Sequence, residues 1–328
     1  MDYKAFIKDY CISLGLEVVG FSKCRIYSEL APYLEKRQES HVQNEFEEKD
    51  IARRINPFLY MEDGETIISI AFPYFHGEEC KGQGKGFFSK YTLGMDYHRV
   101  LPGYLEKICS RIEKLGGKAE YFADSNALPE RYIAYEGGIG FIGKNNMLIT
   151  KKYGSYVFLG EIITNLDMEA DVPMKNGCGS CGLCLGACPT DSLEKKNPNE
   201  CLSYITQKKE LSDEFMKILD GRLFGCDTCQ DVCPYNLAAD KSPLECFKPY
   251  EFMCDPDLKK LIYMNNYEFR EEYKKTASGW RGKGIIQRNA LINFFISNPS
   301  AKSIIDKEAI TSPKLTDIYN RLLSIFKL

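Results

Sequence analysis

Eight of the fourteen cysteines fall between Cys178 and Cys233, and their spacing can build metal centres. Cys178-x2-Cys181-x2-Cys184-x3-Cys188-Pro189 is followed by Cys226-x2-Cys229-x3-Cys233-Pro234. Thiolates two residues apart can wrap three corners of one 4Fe–4S cubane within a tight loop. The small Gly179, Ser180 and Gly182 let backbone N–H groups approach the sulfurs. In a run of this kind the fourth cysteine, the one before proline, ligates the other cluster. Cys233 then completes a first cluster with Cys178, Cys181 and Cys184. The second cluster holds Cys188, Cys226 and Cys229, and Cys201, the one unassigned cysteine between the motifs, is its expected fourth ligand. Structural zinc is the rival chemistry, but zinc favours two separated cysteine pairs. Two cubanes with crossed ligands sit close enough for electron hopping, which says electron transfer and does not say to what.

The other six cysteines, Cys11, Cys24, Cys80, Cys109, Cys246 and Cys254, are scattered. They read as small apolar residues, and in a reducing compartment no disulfide framework is expected. The start, Met1-Asp2-Tyr3-Lys4-Ala5-Phe6, lacks the basic flank and apolar block of a signal peptide. Nothing approaches the ~18 apolar residues of a membrane span. These features lead to a cytoplasmic protein with no membrane part. The 328 residues, 44% hydrophobic and 27% charged, are an ordinary globular composition. At about 100–200 residues per domain they allow two or three domains. The formal net charge is −3, but from Tyr273 to Leu328 ten bases face three acids. That tail carries +7, against −10 for the remainder. It reads either as a solvated helical surface or as a face turned toward a polyanion.

The elements that must position the cysteines follow from periodicity. Asp2 to Leu14 has helical apolar spacing. Glu65 to Pro73 reads as a buried strand, Ala119 to Phe122 as a short strand, and Tyr156 to Ile163 as a third. Tyr104 to Leu115 reads as an amphipathic helix stopped by Gly116-Gly117. Gly137 to Lys144 reads as a glycine-rich turn, without the spacing of a P-loop. From about Pro249 the chain is helical. Ile285 to Ile296 is an apolar helix, and Pro299 and Pro313 separate the last helices. The expected class is α+β: an α/β domain over 1–165, a ferredoxin-like two-cluster domain over 166–248, and a short, repeat-like, basic helical region over 249–328.

Segments around the cysteines narrow the chemistry further. Gly225-Cys226-Asp227-Thr228-Cys229-Gln230-Asp231-Val232-Cys233-Pro234 and Cys201-Leu202-Ser203-Tyr204-Ile205-Thr206-Gln207 are similar to the epoxyqueuosine reductase family. So are Gly140-Phe141-Ile142-Gly143-Lys144-Asn145, Gly154 to Ile162, Asp96-Tyr97-His98, and Ser278-Gly279-Trp280-Arg281-Gly282 with Gln287-Arg288-Asn289-Ala290. The resemblance runs in order from about residue 15 to 295. It implies that the first domain binds cobalamin, that the clusters reduce the cobalt, and that the C-terminal helices help hold tRNA. The implied reaction removes the epoxide oxygen from epoxyqueuosine in the anticodon loop.

Site roles carry over with the resemblance. Asp124 matches the proton donor. Arg54, Ser89, Leu148, Ile149, Thr150 and Leu159 match cofactor positions, and Ser203, Gln207 and Asp227 lie between corrin and second cluster. Arg131 matches a substrate contact, and His98 is grouped with it. The implied partners are tRNA carrying epoxyqueuosine and an external low-potential electron donor, with the chain a monomer. A carboxylic acid at Asp124 can protonate a departing alkoxide, and burial against an apolar corrin face is expected to raise its pKa. No Asp-x-His-x-x-Gly cobalt-ligand motif occurs, so no histidine of that kind is expected beneath the corrin.

Each role has a plainer counterpart. Asp124 can cap the following helix, His98 can be structural, and Trp280-Arg281 reads as a packed junction more readily than as a base-stacking pair. Two other functions fit the cysteine block: reduction of a small molecule by the same cofactors, and a non-catalytic electron carrier. A carrier does not need the large first domain or Asp124.

Overall fold

The apolar run at residues 65–73 becomes the second strand of a four-stranded sheet. The computed structural model describes residues 2–77, 80, 86–124, 126–298 and 300–327. Its strands are β1 (Val19–Lys23), β2 (Thr66–Pro73), β3 (Phe87–Phe88), β4 (Ala119–Phe122), β5 (Phe141–Ile142), β6 (Leu148–Ile149), β7 (Val157–Thr164) and β8 (Arg222–Phe224). The main sheet has the order β1-β2-β7-β4 and is antiparallel at every pairing. The α+β expectation therefore holds for the chain, while the first unit is not of the alternating, parallel α/β kind. A parallel pair joins β3 to β8, tying the first unit to the cysteine-rich segment.

Both faces of this sheet are covered, which is why β2 is buried along its whole length. The Tyr97–Glu113 helix lays Leu101, Leu105, Ile108 and Ile112 on one face beside Phe158 and Ile162. Alternation puts Val157, Leu159, Glu161 and Ile163 of β7 on the other face. That face is covered by Ile133 and Ala134 of the Glu130–Glu136 helix. The first of these helices begins seven residues before the expected Tyr104. Pro102 and Gly103, which read as a breaker, lie in its second turn, and Asp96 Oδ1 caps it by accepting from the His98 N–H.

The second half has its own core. Leu202, Ile205, Met216, Leu219, Leu223 and Phe224 pack with Leu261, Ile286, Leu291, Phe295 and Leu322. This core continues across residue 248. At its centre runs the Lys283–Ser297 helix, buried on nearly every side from Ile285 to Phe295. The Leu258–Tyr263 and Pro313–Ile325 helices flank it. Pro313 opens the last helix behind the Ser312 cap; Pro299 lies outside the described residues.

Two expectations change. Cys80 and Cys254 are joined as a disulfide across 174 residues, and β3 lies against the Glu251–Cys254 helix. Cys11, Cys24 and Cys109 are buried thiols as expected. Three of the ten bases in the tail also face inward. Arg288 donates to the carbonyls of Thr206, Lys208 and Lys209, Arg281 to that of Gln207, and Arg321 to that of Leu211. No helix among the described residues is long and apolar enough to cross a membrane.

Candidate active site and cluster sites

The cysteines of the block influence one another's thiols. Burial pushes the Cys184 thiol up, and Cys178, Cys233 and Cys181 beside it push the same way. Cys201 is raised by burial and then by Cys226 and Cys188. Cys229 is raised by burial and then by Cys201 and Cys226. Cys184 also raises Cys229, so the two expected sets lie next to each other. Among the described residues no three His, Cys, Asp or Glu side chains converge as a single metal ion needs; a cubane, several atoms across, holds its thiolates farther apart.

Local chemistry prepares both loops. Lys144 in the glycine-rich turn donates from Nζ to the carbonyls of Gly179 (2.9 Å) and Cys181 (2.6 Å), and from its backbone N–H to Cys178 Sγ. The turn therefore serves the first cluster loop. At the second, the buried Arg222 donates from Nε to Cys226 Sγ (3.2 Å) and from Nη2 to Thr228 Oγ1 (2.7 Å). Gly225 has φ +77°, and a Cβ there would lie 2.4 Å from Ser89 Cβ. Only glycine lets the Cys226 loop approach β3 so closely.

Between the second set of cysteines and the main sheet lies a cavity of about 460 Å³. Cys188, Cys201, Cys226 and Cys229 line one side, and Met147, Leu148, Val157, Phe158 and Leu159 form an apolar wall. Asp124, Ser89, Ser203 and Arg131 supply polar groups. A second recess of about 670 Å³, lined by Phe46, His98, Gln207 and Trp280, shares Tyr91, Tyr97 and Asp124 with the first. Asp124 thus stands where the two spaces meet.

Asp124 is the most constrained group in this region. Its φ of 55° is a left-handed conformation that non-glycine residues seldom adopt. Its Oδ2 accepts from Tyr97 Oη (2.8 Å) and lies 2.9 Å from His98 Nε2. The other imidazole nitrogen, Nδ1, lies 2.8 Å from Asp96 Oδ1. The Glu130–Glu136 helix is preceded by Pro129, and no side chain caps it, so Asp124 is not its cap. Burial raises the Asp124 carboxyl, but the bonds from His98 and Tyr97 outweigh it and hold the group below the usual carboxylate range. This reverses the expectation of a raised carboxyl. The proton resides on His98, whose bonds to Asp124 and Asp96 push it up to about 9.

The site residues named from the sequence divide into three groups. Ser89, Asp124, Arg131, Leu148, Leu159, Ser203 and the second cysteine set line the inner cavity. His98 and Gln207 line the outer recess, where Gln207 Oε1 accepts from Trp280 Nε1 (3.0 Å). Trp280 is half exposed, with Phe46 edge-on at 5.2 Å, so it is a junction between distant segments whose outer side forms part of the recess wall. Arg54, Ile149, Thr150 and Asp227 line neither space. Ile149 packs on Phe141 and Cys233. Thr150 bonds Gly154. Asp227 is buried and accepts from Ser89 Oγ (2.6 Å), the Lys90 N–H (2.7 Å) and Gln230 Nε2 (3.1 Å), positioning two cavity-lining side chains. Arg54 faces Glu47 and Arg37.

Sequence reasoning missed Tyr97, Glu130 and Asn145. Tyr97 and Asn145 stood in the family-like segments but were given no role, and Glu130, beside Arg131, was not named. Asn145 lines the cavity and keeps a buried Nδ2 without a partner among the described residues. With the apolar wall, this free amide donor fits a large, flat, amide-bearing cofactor such as cobalamin. The two thiol sets fit 4Fe–4S clusters.

Comparison with known proteins bears on the same two regions. Residues 177–236 match the family model of the 4Fe-4S double cluster binding domain, and residues 54–125 match that of epoxyqueuosine reductase QueG. The epoxyqueuosine reductase of Lactococcus garvieae is 36% identical over 96% of this chain and 90% of its own length. That of Listeria monocytogenes is 39% identical over 89% and 80%.

This chain belongs to the epoxyqueuosine reductase family. The solved epoxyqueuosine reductase of Streptococcus thermophilus superposes with a TM-score of 0.92 at 35% identity, covering 99% of this chain and 90% of that one. An epoxyqueuosine reductase crystallised with an epoxyqueuosine-modified tRNA-Tyr stem loop superposes at 0.88 with 30% identity, covering 99% of each chain.

Proposed function

We propose that this chain reduces epoxyqueuosine to queuosine in the anticodon loop of tRNA, with Asp124 as the proton donor. The observation that carries the reading is the place of Asp124, at the junction of a cysteine-lined cavity and an aromatic recess, with its carboxylate bonded to Tyr97 and His98. In this reading residues 1–165 are the cobalamin-binding and catalytic unit, 166–248 hold the clusters, and 249–328 face the tRNA.

Cys178, Cys181, Cys184 and Cys233 would hold one cluster, and Cys188, Cys201, Cys226 and Cys229 the other. Leu148, Leu159, Ser89, Ser203 and Asn145 would surround cobalamin. When bound, these groups supply strongly reducing electrons next to the substrate. The chain supplies position and protons. Trp280 and Phe46 offer aromatic faces to an unstacked base, and Arg131 and the remaining tail bases offer cations to phosphate. Asp124 passes the proton that His98 holds at rest to the epoxide oxygen as the C–O bond opens, so no free alkoxide has to form. His98 shares that proton across the 2.9 Å bond and is fixed in orientation by Asp96. An external low-potential donor must refill the electrons. The cytoplasm, where tRNA is modified, is the compartment this reading requires.

The test is anaerobic incubation of the protein, reconstituted with iron, sulfide and cobalamin, with a reductant and epoxyqueuosine-bearing tRNA. Digestion and nucleoside mass analysis should show queuosine replacing epoxyqueuosine. Unchanged epoxyqueuosine with fully loaded protein would overturn the proposal.

A further inference from the structure

Turning an epoxide into an alkene breaks two C–O bonds and forms one C=C bond. The oxygen leaves as water, so each turnover consumes two electrons and two protons. A single carboxyl at Asp124 holds one proton at a time. Behind it lie two more carboxyls that the reaction as described does not use.

Glu130 is bonded directly to the Asp124 loop. Its Oε1 accepts the backbone N–H of Asp124 (2.7 Å) and Nδ2 of Asn126 (2.8 Å), which leaves its other oxygen to carry a proton. Glu161 sits in the middle of β7 and is fully buried, with neither carboxyl oxygen bonded among the described residues. Its cross-strand neighbours are Ser69 and Phe122, and the Ser69 hydroxyl is likewise unpartnered. Alternation along β7 turns Glu161 to the face covered by the helix that Glu130 begins. An unpaired carboxyl at the centre of a sheet weakens the fold, and an apolar residue there would not. Such a cost persists where a group is used.

We infer that Glu130 and Glu161 form a proton store behind Asp124: Glu130 returns a proton to Asp124 after the first delivery, and Glu161 refills Glu130. Each hop moves one proton from a carboxylic acid to a neighbouring carboxylate, and nothing else changes. The inference rests on the proposed role of Asp124. Burial, and then the charge of Asp124, push Glu130 up to about 7. Burial, and then Glu130, push Glu161 well above the carboxylate range. The charged groups facing this chain are Arg131 next to Glu130, and His98 and Tyr97 on the far side of Asp124. His98 opens on the outer recess, which a bound tRNA would cover. The store lies on the sheet side and stays with the site when the recess is covered.

The experiment uses the full chain loaded with clusters and cobalamin, and Glu130→Gln, Glu161→Gln and Glu161→Leu variants. Infrared spectra of the parent near neutral pH should contain the carbonyl band of a buried carboxylic acid that is absent from Glu161→Gln. Single-turnover reduction by the parent should slow in two stages, as Glu130 loses its proton through about pH 7 and His98 through about pH 9. Glu130→Gln should remove the first stage and lower the rate below it by about 10²-fold. Glu161→Leu should melt at or above the parent temperature yet turn over slowly, which separates use from structure. A Glu130→Gln enzyme with the parent rate and both pH stages overturns the store. So does absence of the carboxylic acid band. If Asp124→Asn also keeps the parent rate, the donor role itself has failed; if Asp124→Asn is dead while Glu130→Gln is normal, only the store has.

Discussion

Nε2 of His98 lies 2.9 Å from Oδ2 of Asp124, while Nδ1 of the same ring lies 2.8 Å from Oδ1 of Asp96. One imidazole is therefore clamped between two carboxylates. In the proposed function the pair, rather than either residue alone, would be the acid: the histidine would hold the proton at rest and the aspartate present it to the cavity.

Replacing Asp124 by Asn keeps the shape and removes the acid. Cluster content and cobalamin binding should match the parent, and queuosine formation should fall by about 10²–10⁴-fold. Iron analysis, the corrin absorption bands and nucleoside mass analysis check these together. Parent-rate turnover by this variant would remove Asp124 from the mechanism.

The clamp also sets a pH dependence. The folded His98 is raised to about 9 from its ordinary 6.5. A raised histidine stabilises the fold fully below about pH 6.5, and that contribution is lost as pH rises through about 9. Thermal melts across this range should show the parent losing an advantage over His98→Asn. A constant difference between the two proteins at every pH would contradict the assignment.

Cys201 lies outside both cysteine runs, beside Cys226 and Cys188. Changing it to Ala should lower iron in anaerobic preparations from about eight toward about four per chain, because the cavity-side cluster loses a ligand. Unchanged iron and an unchanged visible spectrum would assign the fourth ligand elsewhere.

Asn289 on the Lys283–Ser297 helix holds that same ligand loop in place. Its Nδ2 donates to the carbonyls of Thr206 and Leu223, each at 2.8 Å, and its Oδ1 accepts from Arg288. Asn289→Leu leaves these groups bare inside the protein. The expected loss is about 1–3 kcal/mol for each unsatisfied group, read by denaturant unfolding, with the cavity-side cluster released first. Equal stability would mean that the loop is held by packing alone.

The double-cluster segment at residues 177–236 was legible because ligand spacing is a local constraint written directly in the chain. The strands at residues 66–73, 119–122 and 157–164 were legible for a related reason, since β-branched or aromatic residues recur through each run. The start of the helix at Tyr97 was not, since Pro102 and Gly103 mask its second turn. Nor was the direction of the Asp124 shift. Burial alone raises a carboxyl, and only the fold brings the imidazole from residue 98 against residue 124. Glu161 was hidden for the opposite reason: inside Leu159-Gly160-Glu161-Ile162 it looks like the polar member of a half-exposed strand. Only the helix beginning at Glu130 shuts it away from water.

The rim of the outer recess joins distant parts of the chain. Arg281 reaches Glu45 at 3.0 Å and lies over the Phe46 ring, and Trp280 packs edge-on against the same ring. During synthesis, the loop at residues 45–46 leaves the ribosome more than two hundred residues before its companions. The rim of this recess is thus among the last features to be assembled. A nascent chain stalled short of residue 280 lacks the two side chains that close over the Phe46 ring.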